Sequence, residues 1–178
     1  MTDEYHPLFI NPQRLHRPTG ARLQEGKLMK FITLFLLVLM TLTACQSATL
    51  SPITGTLDSE FTLAPDQTVT IENAGLSIRL IGVSDDQRCP SEIECATSGP
   101  VSLSIAVQKD SETPVEFAMQ TFTSNNGRAP DGPFEGIEDR IEYDGYIIQV
   151  KSVLPYPAKS FNEIEDSEYR VSFLMTEK

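Results

Sequence analysis

The chain has 178 residues, with 14 Lys and Arg against 25 Asp and Glu, two His, three Cys and no Trp, for a net charge of −11. The excess lies after residue 45, where nine cationic side chains face 22 carboxylates, a net of −13. A chain this acidic is repelled by phosphate backbones and by anionic lipid, which excludes nucleic-acid binding. Both histidines, His6 and His16, precede residue 17, so the usual general base of a Ser or Cys nucleophile is absent from the rest.

Residues 1–28 hold Pro7, Pro12 and Pro18 among charged side chains such as Asp3, Glu4, Arg14, Arg17 and Arg22. Three prolines in so short a span forbid a continuous helix, and no apolar rhythm supports a strand. The segment reads as an over-called start before a true initiation at Met29, with a long atypical n-region as the rival. Lys30 then precedes fourteen uncharged residues, 31–44, mostly Leu, Phe, Ile and Val. That is the length of a secretory h-region, whereas a comfortable membrane span wants about twenty apolar residues. Here Leu42-Thr43-Ala44-Cys45 resembles the lipobox of bacterial lipoproteins. The resemblance implies a signal peptide over 29–44, cleavage before Cys45, and a diacylglycerol on the Cys45 thiol with a further acyl chain such as palmitate on the new amino group. Several chains anchor stably where one is marginal. It also implies anchoring to the membrane with the rest outside the cytoplasm. Gln46, where an Asp would be restrictive, fits outer-membrane sorting in a host with two membranes. An uncleaved N-terminal helix ending in a chance Cys is the bland alternative.

Residues 45–60, rich in Ser and Thr, read as a tether whose roughly fifteen flexible residues span about 20 Å. Residues 61–178 suit one domain that can bury a core. Period-two alternation recurs in Val69 and Ile71; Leu76, Ile78 and Leu80; Val101, Leu103, Ile105 and Val107; Val115, Phe117 and Met119; Tyr146, Ile148 and Val150; and Tyr169, Val171, Phe173 and Met175. Each is a strand with one buried and one wet face. Asn73-Ala74-Gly75, Asn125-Asn126-Gly127, Pro130-Asp131-Gly132-Pro133 and Asp144-Gly145 mark turns between them. The pattern predicts an all-β fold, an antiparallel Ig-like β-sandwich of about seven strands, with a partly closed barrel as the alternative. One short helix or a plain turn is expected over 160–167, where Ser160 and Glu163 have capping-box spacing.

With Cys45 consumed by lipid, Cys89 and Cys95 remain as a pair. Five residues separate them, and outside the cytoplasm a loop-closing disulfide forms and persists. A metal reading lacks histidine partners, and C-x5-C is not the C-x-x-C of thiol oxidoreductases. The run Asp86-Gln87-Arg88-Cys89-Pro90, then Cys95 and Gly99, then the strand from Val101, resembles a group of small exported bacterial domains to which no activity attaches. Gly145-Tyr146-Ile147-Ile148, Pro155-Tyr156-Pro157 and the closing Tyr-x-Val-x-Phe strand extend the similarity over most of 61–175. Such domains often carry Trp two residues after the second Cys, where this chain has Thr97. That departure puts any shared pocket at the loop in doubt.

Within this run Arg88 offers a forked donor for a ligand carboxylate, against the alternative of pairing with Asp85 or Asp86. Asp131, Glu135, Glu138 and Asp139 are weak calcium candidates, set against a solvated acidic loop, since they do not follow the EF-hand order. A carboxylate-only hydrolase built on Asp139 and Glu142 is a remote alternative. No G-x-S-x-G, S-x-x-K, phosphate loop or dinucleotide fingerprint occurs. Phe134 in the loop 122–134 and Tyr156 are candidate ligand or partner contacts, or else caps on the core. The expected function is therefore that of a lipid-anchored envelope lipoprotein, non-enzymatic and without a required cofactor, binding an envelope protein or serving structurally. The alternative is a tethered inhibitor of a protease or other envelope enzyme.

Overall fold

Alternating sequences fold into strands because every second side chain can then leave water together. The computed structural model describes residues 50–178 and carries nine strands in two sheets. They are β1 (Ile53–Gly55), β2 (Glu60–Leu63), β3 (Thr68–Ile71), β4 (Leu76–Asp86), β5 (Val101–Lys109), β6 (Val115–Thr121), β7 (Arg140–Tyr143), β8 (Tyr146–Leu154) and β9 (Arg170–Glu177). One sheet has the order β1-β3-β4-β5-β6, the other β2-β9-β8-β7. All neighbours are antiparallel except β1 and β3. The predicted all-β sandwich is what the chain forms, with nine strands rather than about seven. The segment 1–28, the signal over 29–44 and Cys45 lie outside the described residues. Among the described residues no helix is long and apolar enough to cross a membrane.

The core is the set of inward positions. Leu76, Ile78 and Leu80 of β4, Val101, Leu103, Ile105 and Val107 of β5, and Met119 of β6 meet Phe61, Leu63, Ile148, Val150, Val153, Val171, Phe173 and Met175 of the second sheet. Burial of each large aliphatic contributes about 1.5–3 kcal/mol. Two bulges in β4, at Leu80/Gly82 and Val83/Asp85, each move the inward position by one residue. The inward series thus runs Leu80, Val83, Asp86, and it ends by turning a carboxylate into the core margin.

Two boundaries differ from the sequence expectation. The tether read over 45–60 is partly fold: Ile53, Thr54 and Gly55 pair in parallel with Val69, Thr70 and Ile71. Gly55 is required there, because a Cβ would lie 2.9 Å from Val69 Cγ2. A three-residue strand shows no period, so the Ser/Thr-rich composition concealed it. The stretch around Glu138 and Glu142, read as an acidic connection, contains β7, a half-exposed edge strand closed onto β8 by the Asp144-Gly145 turn. Both turn residues have positive φ, 48° and 82°, as a two-residue hairpin of this hand demands. Of the short helix or plain turn expected over 160–167, the turn is what forms. The Glu163 carboxylate accepts backbone N–H groups of Ala158, Lys159 and Ser160, and a 3-10 turn follows at Asp166–Glu168.

Candidate functional site: the loop end of the sandwich

Register places the connections. Asp86 pairs with Val101, Val101 with Thr121, and Leu154 with Arg170. The three long connections 87–100, 122–139 and 155–169 therefore gather at one end, hereafter the loop end. Tight turns after Ile71, Lys109 and Tyr143 occupy the other, the turn end.

At the loop end Arg88 is wholly buried. Its Nε and Nη2 donate to Asp86 Oδ1 and Oδ2 at 2.8 and 2.6 Å, and Nη1 and Nη2 donate to the carbonyls of Val153 and Pro155, both at 2.8 Å. The guanidinium carbon lies 4.9 Å from the centre of the Tyr156 ring. Asp86 also accepts from the Arg88 backbone N–H and from the Tyr169 hydroxyl at 3.1 Å. A buried charge is tolerated only when well hydrogen-bonded, and here both Asp86 carboxylate oxygens accept and every guanidinium nitrogen of Arg88 donates. Burial, then the nearby Asp86 carboxylate, pushes the Tyr169 hydroxyl above the ordinary tyrosine range. Arg88 thus takes the self-pairing alternative rather than the ligand-anchor one. Its donors tie the first sheet to the second, and its surface is closed to a ligand.

The disulfide Cys89–Cys95 sits beside this pair. Its loop lies along the Pro155-Tyr156-Pro157 segment, with Ser91 N donating to Pro157 O at 3.0 Å and Glu92 N to Ala158 O at 2.8 Å. Tyr156 donates its hydroxyl to Cys89 O at 2.9 Å. Gly99 is needed because a Cβ there would come within 2.5 Å of Gln87 Cβ. Asp86, Arg88, Cys89, Cys95 and Gly99 of the Asp-x-Arg-Cys-Pro…Cys…Gly run accordingly share one structural corner. Sequence reasoning named the pairing of Arg88 with Asp86 as an alternative. It missed Tyr169 as a participant, since that residue reads only as the first inward position of β9.

Phe134 is different. It is 48 % exposed on the long 122–139 connection, its ring edge-to-face with Phe122 at 5.6 Å between centroids. The pair borders a shallow cleft of about 270 Å3 with Arg128, Ala129 and Pro130. Gly127, at φ 78°, lets this connection turn onto β8, where Val153 N donates to Gly127 O and Ala129 N to Lys151 O. Arg128 is held by Glu60 at 2.7 Å, and the guanidinium keeps that carboxyl below its ordinary value.

The calcium candidates are placed apart. Asp139 is buried and accepts from Arg140 Nε at 3.1 Å and Gln149 Nε2 at 3.2 Å, whereas Asp131 reaches Lys151 Nζ at 3.2 Å. Glu135 and Glu138 are exposed. Among the described residues no three acidic, His or Cys side chains converge as a metal site would require. Glu142, the second carboxylate of the hydrolase alternative, accepts from Lys178 Nζ at 2.6 Å. No family model matches the chain, and no curated protein or solved structure matches it.

Proposed function

We propose that the protein is a lipid-anchored component of a bacterial envelope whose sandwich acts by binding, with the loop end as its contact face. The observation that carries the reading is the division of labour among the three cysteines. Cys45 ends an uncharged export-length stretch whose last residues resemble a lipobox, and the other two are bonded to each other, a state that persists in an oxidising compartment. The contact face is supported by Phe134, because an aromatic left half-exposed on a long connection beside a cleft is the usual anchor of a binding surface.

The anchor is tested by growing cells with radiolabelled palmitate. The native chain is expected to carry label and to sediment with membranes, and Cys45→Ser to lose both; unlabelled native chain sinks the reading. For the contact face, the detergent-solubilised chain is used to capture partners from envelope extract, with calcium present and absent, against Phe134→Ser. A second reading rests on the same residue: Phe134 on its exposed connection fits a tethered inhibitor that presents a loop to an envelope protease. Slowed proteolysis of a reporter by the native chain but not by Phe134→Ser would favour it over a passive binder.

A further inference from the structure

Along one side of the sandwich the two sheets end in neighbouring edge strands, β6 of the first and β7 of the second. Gln120 N donates to Glu138 O at 3.0 Å, the one backbone hydrogen bond across this seam among the described residues. That bond fixes the parity of β6. With the Gln120 amide facing outward, those of Glu116 and Ala118 face outward too, while Val115, Phe117 and Met119 bond β5. Among the described residues nothing partners the backbone N–H and C=O of Glu116 and Ala118. The free stretch, 115–118, lies between Pro114, which has no N–H, and the bond at Gln120.

The apolar side of this stretch is incompletely covered. Alternation turns Val115 and Phe117 inward, yet Val115 is 42 % exposed and Phe117 only partly buried. The Phe117 ring meets Tyr143 of β7 edge-to-face at 5.9 Å between centroids, and Tyr143 is itself partly buried. Unpaired strand amides beside open apolar side chains are the geometry of strand addition, in which an extended peptide completes the ladder.

We propose that β6 accepts an extended peptide of alternating apolar and basic residues as an added antiparallel strand over 115–118. Peptide residues opposite Val115 and Phe117 turn into the seam, and the residue opposite Glu116 lies beside that carboxylate. Charge decides the occupant. Glu112 and Glu116 have no ion-pair partner among the described residues, while Lys109, Arg140 and Lys178 on this side are held by Asp144, Asp139 and Glu142. A second copy of the chain would bring the same acidic excess and another Glu116 to the contact, and is repelled. The surface is separate from the loop end and does not depend on it.

The test titrates the detergent-solubilised full chain into a fluorescent, end-blocked peptide of alternating valine and lysine and reads its anisotropy. Saturable binding is expected, and a Kd weaker than about 1 mM overturns the proposal. Ala118→Pro removes an outward N–H that the β5 ladder does not use, so cooperative thermal unfolding should persist. Affinity should fall about fivefold or more, the worth of one hydrogen bond. Glu116→Lys, at an exposed side chain, should weaken binding about threefold and carries the test if the proline variant does not fold. Phe134→Ser should bind as the native chain does. Equal binding by the native chain and both β6 variants overturns the edge site, as does loss in Phe134→Ser alone. A dimer at sedimentation equilibrium that Ala118→Pro abolishes would make a second copy the occupant, and the peptide would be given up.

Discussion

A cation bridges the two sheets at each end of the sandwich, and the two bridges are built differently. At the turn end Lys109 Nζ lies 2.9 Å from Asp144 Oδ2, donates to Ala74 O at 2.7 Å and sits 5.9 Å from the Tyr146 ring centre, with its side chain 27 % exposed. At the loop end Arg88 makes four side-chain hydrogen bonds to Asp86, Val153 and Pro155 and is 0 % exposed. The turns beside Lys109 close through backbone geometry of their own, so the bridge there is one support among several. The loop end has long connections that also close locally, as where Gly99 N donates to Gln87 O and Cys89 bonds Cys95, but it is a planar fork with no freedom to wander that ties their roots across the two sheets. Loops that serve as a contact face need that fixed base, since positioning by a rigid scaffold is what makes a loop specific.

The sharpest way to break the comparison is Arg88→Met. It leaves the Asp86 carboxylate buried without its cation, which costs about 3–5 kcal/mol. A chemical-denaturation curve measures it, and a loss under about 1 kcal/mol would mean the corner relaxes to admit water. Combining it with Asp86→Asn should recover part of the loss, because the uncompensated charge is then gone. Next in size is the disulfide. Cys89→Ser with Cys95→Ser removes a constraint on a short loop, worth about 2 kcal/mol in the chain-entropy model. Amide exchange should rise over 89–95 and along 156–158, which share backbone hydrogen bonds.

Glycines extend the contrast. Gly127→Ala at the loop end meets both a positive φ of 78° and a Cβ position 2.7 Å from Val153 O, so a loss of about 1–3 kcal/mol is expected. Gly145→Ala at the turn end has a similar φ but open space around it, and it should fall at the low end, about 1 kcal/mol. Equal losses would show that the 122–139 connection shifts freely. Tyr169 adds a pH handle. Its raised folded value means that above pH 10, the ordinary tyrosine value, the unfolded chain releases a proton that the folded chain keeps. Stability therefore falls as pH rises from there through the folded value. Tyr169→Phe should lose about 1 kcal/mol at pH 7 with its bond to Asp86 and show a flatter alkaline limb in urea titrations.

The sandwich was legible because its core strands are long enough to show a period. Leu76, Ile78 and Leu80 of β4 alternate with polar residues in the sequence itself, and Leu103, Ile105 and Val107 of β5 keep the same spacing, so the inward faces could be read before any contact was known. β1 was illegible for the opposite reason, since three residues around Gly55 cannot display a period. The bulges in β4 were hidden too. They reverse the inward parity twice, and nothing local marks Asp86 rather than Asp85 as the residue turned inside. At the candidate site the motif around Arg88 was visible, but its meaning depended on the carbonyls of Val153 and Pro155, 65 and 67 positions away. Phe134 was read as either a contact or a cap, and only its exposure separates the two.

The smallest expected effect is the one that closes the comparison. Lys109→Met removes the turn-end bridge while keeping a side chain that can cover the same apolar surface. The pairing with Asp144 raises the Lys109 ammonium above its usual range, so its contribution is fully present below pH 10.5 and is lost as pH rises through the folded value. At neutral pH the pair is nonetheless open to solvent, and salt screens it. The melting temperature should fall only slightly in dilute buffer, and the difference from the native chain should narrow in about 1 M NaCl, where screening acts within a few ångströms. Arg88→Met should show no such narrowing, because water and ions do not reach that corner. If the two variants responded to salt alike, the buried bridge would be no more shielded than the exposed one, and the rigid base assigned to the loop end would have to be given up.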